Sequence, residues 1–202
     1  MHNGLSPTSR LLKRAFDVVV SFVALLVLWP IIVIGWIVAA ISTHDNGFFV
    51  QTRVGMHGRT FRLLKLRSML NRDDVRTTVT TDKDPRITPI GALLRKTKID
   101  ELPQLWNVLV GHMSIVGPRP DVPGFADELT GDDLIVLSVR PGITGPATLE
   151  FRNEEELLSN QADPERYNRK VIWPRKVELN KAYIANYSFW KDLGYIWRTI
   201  VR

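Results

Sequence analysis

Residues 18–43 read VVVSFVALLVLWPIIVIGWIVAAIST, with no charged side chain in the run. A helix needs about 20 apolar residues to cross the hydrocarbon of a bilayer, so the length permits insertion. A cleaved signal peptide would have a shorter apolar region and an Ala-x-Ala-like site, which is lacking here. A membrane helix over about residues 15–42 is therefore expected to stay in the mature protein. The flanks decide how it sits. Arg10, Lys13 and Arg14 precede it, and Arg53, Arg59, Arg62, Lys65 and Arg67 follow. Basic flanks favour the cytoplasmic side. A simple crossing puts one of them outside, whereas a re-entrant helix that dips in and returns satisfies both. Pro30, in mid-run, has no N–H to donate and clashes with the preceding turn, which predicts a kink there. The carbonyls freed near Ala24–Val27 need other partners at that depth, and Ser21 is a candidate hydroxyl. A proline-kinked spanning helix and a buried hairpin of a soluble core are the alternatives.

The chain has 202 residues, enough for one domain with a real core. No repeat or linker divides it, so residues 1–202 are read as a single domain that includes the membrane helix. There is no Cys, which excludes disulfides and thiolate metal sites. His2, His44, His57 and His112 have no metal-ligand spacing. The net charge of +6 and pI near 9.8 suit an anionic partner: phosphates, a lipid surface or nucleic acid. Composition does not choose among the three.

Beyond the membrane run, FFVQTRVG and RTFRLLKLRSM flank a Gly55–Gly58 turn and predict a β-hairpin with a basic second strand. Residues 71–90 are polar and read as a surface loop. Residues 91–97 suit a short helix carrying Arg95 and Lys96. Then comes IDELPQLWNVLVG, with Pro103 suited to a first helical turn and Gly111 to the position past a helix end. Leu102, Leu105, Trp106 and Leu109 give that helix an apolar face. GPRP (117–120) and RPGITG (140–145) read as rigid loops. Residues 131–138 suit a helix. Asp163-Pro164, Trp173-Pro174 and Ser188 mark further helix starts, with Asp192 in the first turn of the last. The final 36 residues hold all four Tyr and three of the six Trp among Lys and Arg. Amphipathic helices of that kind settle at bilayer surfaces, and an aromatic core is the competing reading. The expected fold is mostly α with a small β-hairpin (α+β), a re-entrant membrane helix kinked at Pro30, and interfacial amphipathic helices.

Asp100-Glu101 is the sharpest chemical feature. Acids at a helix start are commonly plain caps. Here Arg95, Lys96 and Lys98 lie just upstream, Arg119 stands between two prolines, and Lys65 and Arg67 lie on the hairpin. A carboxylate nucleophile whose target is an anion needs such cations, which offset repulsion and stabilise charge during phosphoryl transfer.

DELPQLWNVLVGHMSIVGPRP followed by RPGITG resembles the signature of the monotopic phosphoglycosyl transferases, the bacterial sugar transferase family. KRAFDVVVSFVALLVLWP resembles that family's N-terminal re-entrant helix, and FRLLKLRSM its basic hairpin strand. The likeness runs from about Lys13 to the C-terminus. It implies that Asp100 attacks the β-phosphate of a UDP-sugar, UMP leaves, and a covalent phosphosugar-enzyme forms. Polyprenol (undecaprenyl) phosphate then takes the phosphosugar, in the first membrane step of a bacterial glycoconjugate pathway. Glu101 matches the second acid, which positions or deprotonates the lipid phosphate. The family uses Mg²⁺ near this pair, and Asp100 is the expected protein contact. Lys65, Arg95, Arg119 and Arg152 match its basic positions near the phosphates; Arg140, in RPGITG, has a binding or a structural role. The implied setting is the cytoplasmic face of the bacterial inner membrane, with membrane lipids and no nucleic acid as partners. A homo-oligomer is compatible with the sequence.

Residues 146–153 (PATLEFRN) stand where many members read Trp-Ala-Gln, an acidic EEELL follows, and Asn180 replaces a frequent Asp. No particular sugar is carried over for that reason. The absence of a large N-terminal membrane domain suggests the minimal catalytic form. A basic membrane-surface scaffold and a hydrolase that cleaves UDP-sugar with water are the competing functions.

Overall fold

A computed structural model describes residues 5–72, 77 and 79–201; part of the expected 71–90 loop, residues 73–76 and 78, lies outside them. Helix α1 (Pro7–Thr43) starts earlier than the apolar run implies. Ser6 caps it by accepting from Ser9 N, and Pro7 takes the first turn, where a missing N–H costs nothing. Arg10, Lys13 and Arg14 therefore lie inside the helix. Its buried residues fall in two sets at four-residue spacing, Lys13–Asp17–Ser21 and Gly35–Ala39–Thr43. None of residues 22–34 between them is buried. The helix is continuous through Pro30. Ser21 does not serve the carbonyls of 24–27, as the sequence suggested. Its hydroxyl donates to Asp17 O at 2.6 Å, because a serine back-bonds most readily to the turn before it.

Both limbs of α1 rest on one body. On the first, Arg14 donates to Val108 O and Leu109 O (2.6 and 2.8 Å), and Asp17 Oδ1 accepts from Ile115 N (3.0 Å). On the second, Gly35 lies against Leu66, so close that a Cβ would sit 2.6 Å from its Cδ1. Ala39 packs with Leu66 and Leu94, and Ser42 bonds Thr88 at 2.7 Å.

The hairpin forms as expected, with β1 (Phe48–Val54) antiparallel to β2 (Thr60–Leu66). Phe61 and Leu63 of β2 build a core with Val108 and Met113. Each such side chain stabilises the fold by about 1.5–3 kcal/mol when fully buried. A second sheet was not legible in the sequence: β3 (Ser114–Val116) pairs in parallel with β4 (Gly142–Thr144). Three-residue strands are too short to show a period. GPRP continues β3 as a loop, but RPGITG, read as a loop, contains β4 itself. They approach so closely that a Cβ on Gly142 would lie 2.1 Å from Gly117 N.

The remaining helices are α2 (Pro89–Thr97), α3 (Gln104–Leu109), α4 (Pro146–Glu150), α5 (Glu154–Ser159), α6 (Pro164–Tyr167), α7 (Trp173–Ala185) and α8 (Phe189–Ile200). A π-helical turn joins α6 to α7, and residues 131–138 form a 3-10 run. The C-terminal aromatics divide. Tyr183, Tyr187 and Tyr195 pack into a core with Leu5, Val116 and Val139, whereas Trp190 and Trp197 stay exposed. Asp192 lies in the first turn of α8, as expected. It is buried, and accepts from Lys13 Nζ (2.5 Å) and Tyr183 OH (2.8 Å).

Candidate active site

Lys98 sets where the acids go. It ends α2 in the left-handed region (φ 60°), its N–H returning to Arg95 O at 3.1 Å. The chain then makes a 3-10 turn over Ile99–Glu101, passes Pro103 and enters α3. Asp100 and Glu101 thus stand one turn ahead of α3. Bonds of the i to i+3 kind run from Lys98 O–Glu101 N through Pro103 O–Trp106 N. In such a run residues three apart line up. Glu101, Gln104 and Asn107 are so spaced, and all three are buried. The Asn107 carboxamide accepts from Leu64 N (2.9 Å) and donates to Arg62 O (2.8 Å), fixing α3 on β2.

That docking brings Lys65 of β2 to Glu101, with Nζ 3.5 Å from Oε1. Arg119, carried by the loop after β3, donates to the same oxygen at 2.6 Å and to Oε2 at 3.5 Å. Arg53 of β1 supports the loop by donating to Pro120 O at 3.1 Å. Burial alone would raise the Glu101 pKa. Arg119, and then Lys65, instead hold it far below the usual carboxylate range. The Arg119 guanidinium is correspondingly held more firmly charged by Glu101. Burial pushes Lys65 down to about 8 despite the neighbouring carboxylate.

Asp100 is treated differently. It is buried, and its Oδ1 has no hydrogen-bond partner among the described residues. Burial, then the charge of Glu101, raises its pKa to about 6, against the pull of Lys65, Arg95 and Lys98. Two adjacent acids are thereby driven apart: one saturated and always ionised, the other unpartnered and titrating near neutrality.

A family model described as bacterial sugar transferase matches residues 8–202. The chain belongs to the bacterial sugar transferase family. Among its curated relatives, the UDP-glucose:undecaprenyl-phosphate glucose-1-phosphate transferase of Escherichia coli is 36% identical over 203 residues, covering 98% of this chain and 41% of the relative. Exopolysaccharide production protein ExoY of Rhizobium meliloti is 32% identical, covering 96% of the chain and 86% of the relative. The UDP-galactose-lipid carrier transferase of Erwinia amylovora is 34% identical, covering 96% and 40%. The chain thus spans about two fifths of the E. coli and Erwinia relatives and most of ExoY.

Of the basic residues expected at the site of this bacterial sugar transferase, Lys65 and Arg119 meet on Glu101. Arg95 acts on Asp100 but spends a donor on Glu155 of α5, while its Nε is buried without a partner. Glu154 pairs with Lys176 of α7 at 2.7 Å, so two ion pairs hold the acidic segment against its surroundings. Arg152 donates to Arg198 O at 2.6 Å, tying the segment after α4 to the end of α8; no hydrogen bond or ion pair joins it to the acids. Arg140 donates to Gly111 O at 2.8 Å and closes the end of α3. Arg53 and Glu155 were not singled out in the sequence, because only strand pairing and helix packing bring them near. Gln104 could have been, from its i+3 spacing to Glu101.

No cluster of three metal-binding side chains occurs among the described residues. Mg²⁺ commonly takes one or two carboxylates, with substrate phosphates and water completing its shell. The unpartnered Asp100 Oδ1 fits that sparse donor set.

Proposed function

We propose that this chain transfers a sugar 1-phosphate from a UDP-sugar to polyprenol phosphate, with Asp100 as the nucleophile. The observation that carries this reading is the divided acid pair, with a buried, unpartnered Asp100 beside a Glu101 already neutralised by Lys65 and Arg119. The names of the relatives agree with the reaction class. An Asp100 carboxylate oxygen attacks the β-phosphorus. The bond from that phosphorus to the bridging oxygen breaks, UMP departs with the electron pair, and a sugar-phosphoryl aspartate remains. Lys65, with Arg119, offsets the charge that gathers on the phosphoryl oxygens. A polyprenol phosphate oxygen then attacks the same phosphorus and releases Asp100 as carboxylate. Glu101, held ionised by Arg119 and Lys65, keeps the two cations in place for the lipid phosphate. Mg²⁺ bound at Asp100 would supply further charge neutralisation for the diphosphate.

The reaction is proposed to take place at the cytoplasmic membrane face, with α1 bending at Pro30 so that it dips into the bilayer and returns. At 1.5 Å per residue α1 is about 55 Å long, well beyond the roughly 30 Å of hydrocarbon. Both limbs rest on the body that holds the charged site, while the apolar residues 22–34 between them are unburied. Two ends on one body argue for one side of the bilayer. The exposed Trp190 and Trp197 of α8 suit an interfacial helix. Residues 1–202 act in this reading as one catalytic unit.

The test is UMP release from a panel of UDP-sugars, with Mg²⁺, with and without polyprenol phosphate. Sustained turnover only with the lipid supports the transferase; sustained turnover without it makes the protein a hydrolase. Because the chain has no Cys, Arg10→Cys and Asn46→Cys report topology cleanly. Labelling of both from the cytoplasmic side supports re-entry, and labelling from opposite sides excludes it.

A further inference from the structure

α3 buries Val108 in the core beside two polar residues and turns much of its remaining apolar surface outward, unlike an ordinary surface helix. Gln104 (2% exposed) and Asn107 face inward, because Asn107 must reach the β2 backbone. Trp106 (54%) and Val110 (43%) are exposed, and Leu102, Leu105 and Leu109 are half-buried. Leu93 of α2, the helix leading into the acid turn, is 60% exposed. The sequence signals this apolar face but not its direction.

The stripe has two distinct ends. It begins at Leu102, the residue after Glu101, where Lys65 and Arg119 converge. It runs on to Leu109 and Val110, where Arg14 ties α3 to the first limb of α1. A cationic start leading into an apolar track beside a membrane helix matches an amphiphile with a phosphate head and a hydrocarbon chain. We infer that the outward face of α3 binds the polyprenyl chain of the acceptor and leads its phosphate to Asp100. This rests on the transferase reading above, and adds a subsite that distinguishes long from short acceptors.

The full chain in vesicles of phosphatidylethanolamine and phosphatidylglycerol tests it, with undecaprenyl phosphate and the short geranyl phosphate as acceptors. Trp106→Gln with Val110→Gln is expected to raise the KM for undecaprenyl phosphate about tenfold, the loss of roughly one large apolar contact. The KM for geranyl phosphate and for the UDP-sugar is expected to stay within about twofold, and Trp106→Phe to restore the long-chain value. Equal losses with both acceptors would overturn the inference. So would reduced vesicle binding with an unchanged acceptor KM for the bound enzyme, which would make the stripe a bilayer anchor only. If the wild type released no UMP from any UDP-sugar, the transferase reading itself would fail, and visibly so.

Discussion

The junction of α1, α7 and α8 and the turn before α3 are both buried charge clusters, and they are finished differently. At the junction, Asp192 spends one oxygen on Lys13 and the other on Tyr183 OH, and Lys13 also lies 5.8 Å from the centre of the Tyr187 ring. Both charged groups there have protein partners. At the turn, Glu101 is saturated while Asp100 keeps a free oxygen, with Lys65, Arg95, Lys98 and Arg119 acting on the pair. A closed cluster holds helices together. An open one with surplus positive charge is built for an anion that is not part of the protein.

If the contrast is right, each cluster fails in its own way. Asp100→Asn is expected to cut UMP release roughly 10³-fold or more, since the nucleophile is gone. Its melting temperature should stay close to that of the wild type, because no partner loses a bond. Lys13→Met does the reverse. It leaves Asp192 charged and uncompensated in the interior, at a cost of about 3–5 kcal/mol, measured by denaturant or thermal unfolding. Asp192→Asn added to that variant removes the orphan charge and should recover part of the loss. Turnover per folded molecule would be little changed.

Smaller effects sharpen the comparison. In the proposed reaction Asp100 attacks only as a carboxylate, so its pKa near 6 is expected to make the first step slow below that pH, about tenfold per unit. Above pH 8 the half-buried Lys65 loses its charge, and the rate is expected to fall again. Stopped-flow UMP release across pH 5–9 should therefore be bell-shaped, with Lys65→Arg extending the alkaline limb. Glu155→Gln is expected to change least. It frees Arg95 for the substrate diphosphate and lowers the KM for the UDP-sugar by about threefold, since its pair is partly solvated.

Much of the candidate site's grouping was legible because its residues share one short stretch. Asp100, Glu101 and Arg119 lie within twenty residues, and Lys65 sits on a hairpin whose turn glycines are plain in the sequence. The long apolar helix α1 was legible from its charge-free run. The parallel pairing of β3 with β4 was not, since it joins segments with no intrinsic strand pattern through close glycine contacts. Nor was the fate of Asp192, whose partner Lys13 lies 179 residues away. The outward turn of α3 depends on which face Asn107 needs, and periodicity is blind to that. The Pro146–Arg152 segment and the EEELL run gained positions without gaining a sugar.

The proposed nucleophile can be observed directly. Incubated with its UDP-sugar and Mg²⁺ but no lipid acceptor, the protein is expected to gain the mass of one sugar phosphate. Peptide mapping should place that mass on Asp100, and added polyprenol phosphate should discharge it. An adduct on any other residue, or full UMP release by Asp100→Asn, would contradict the assignment.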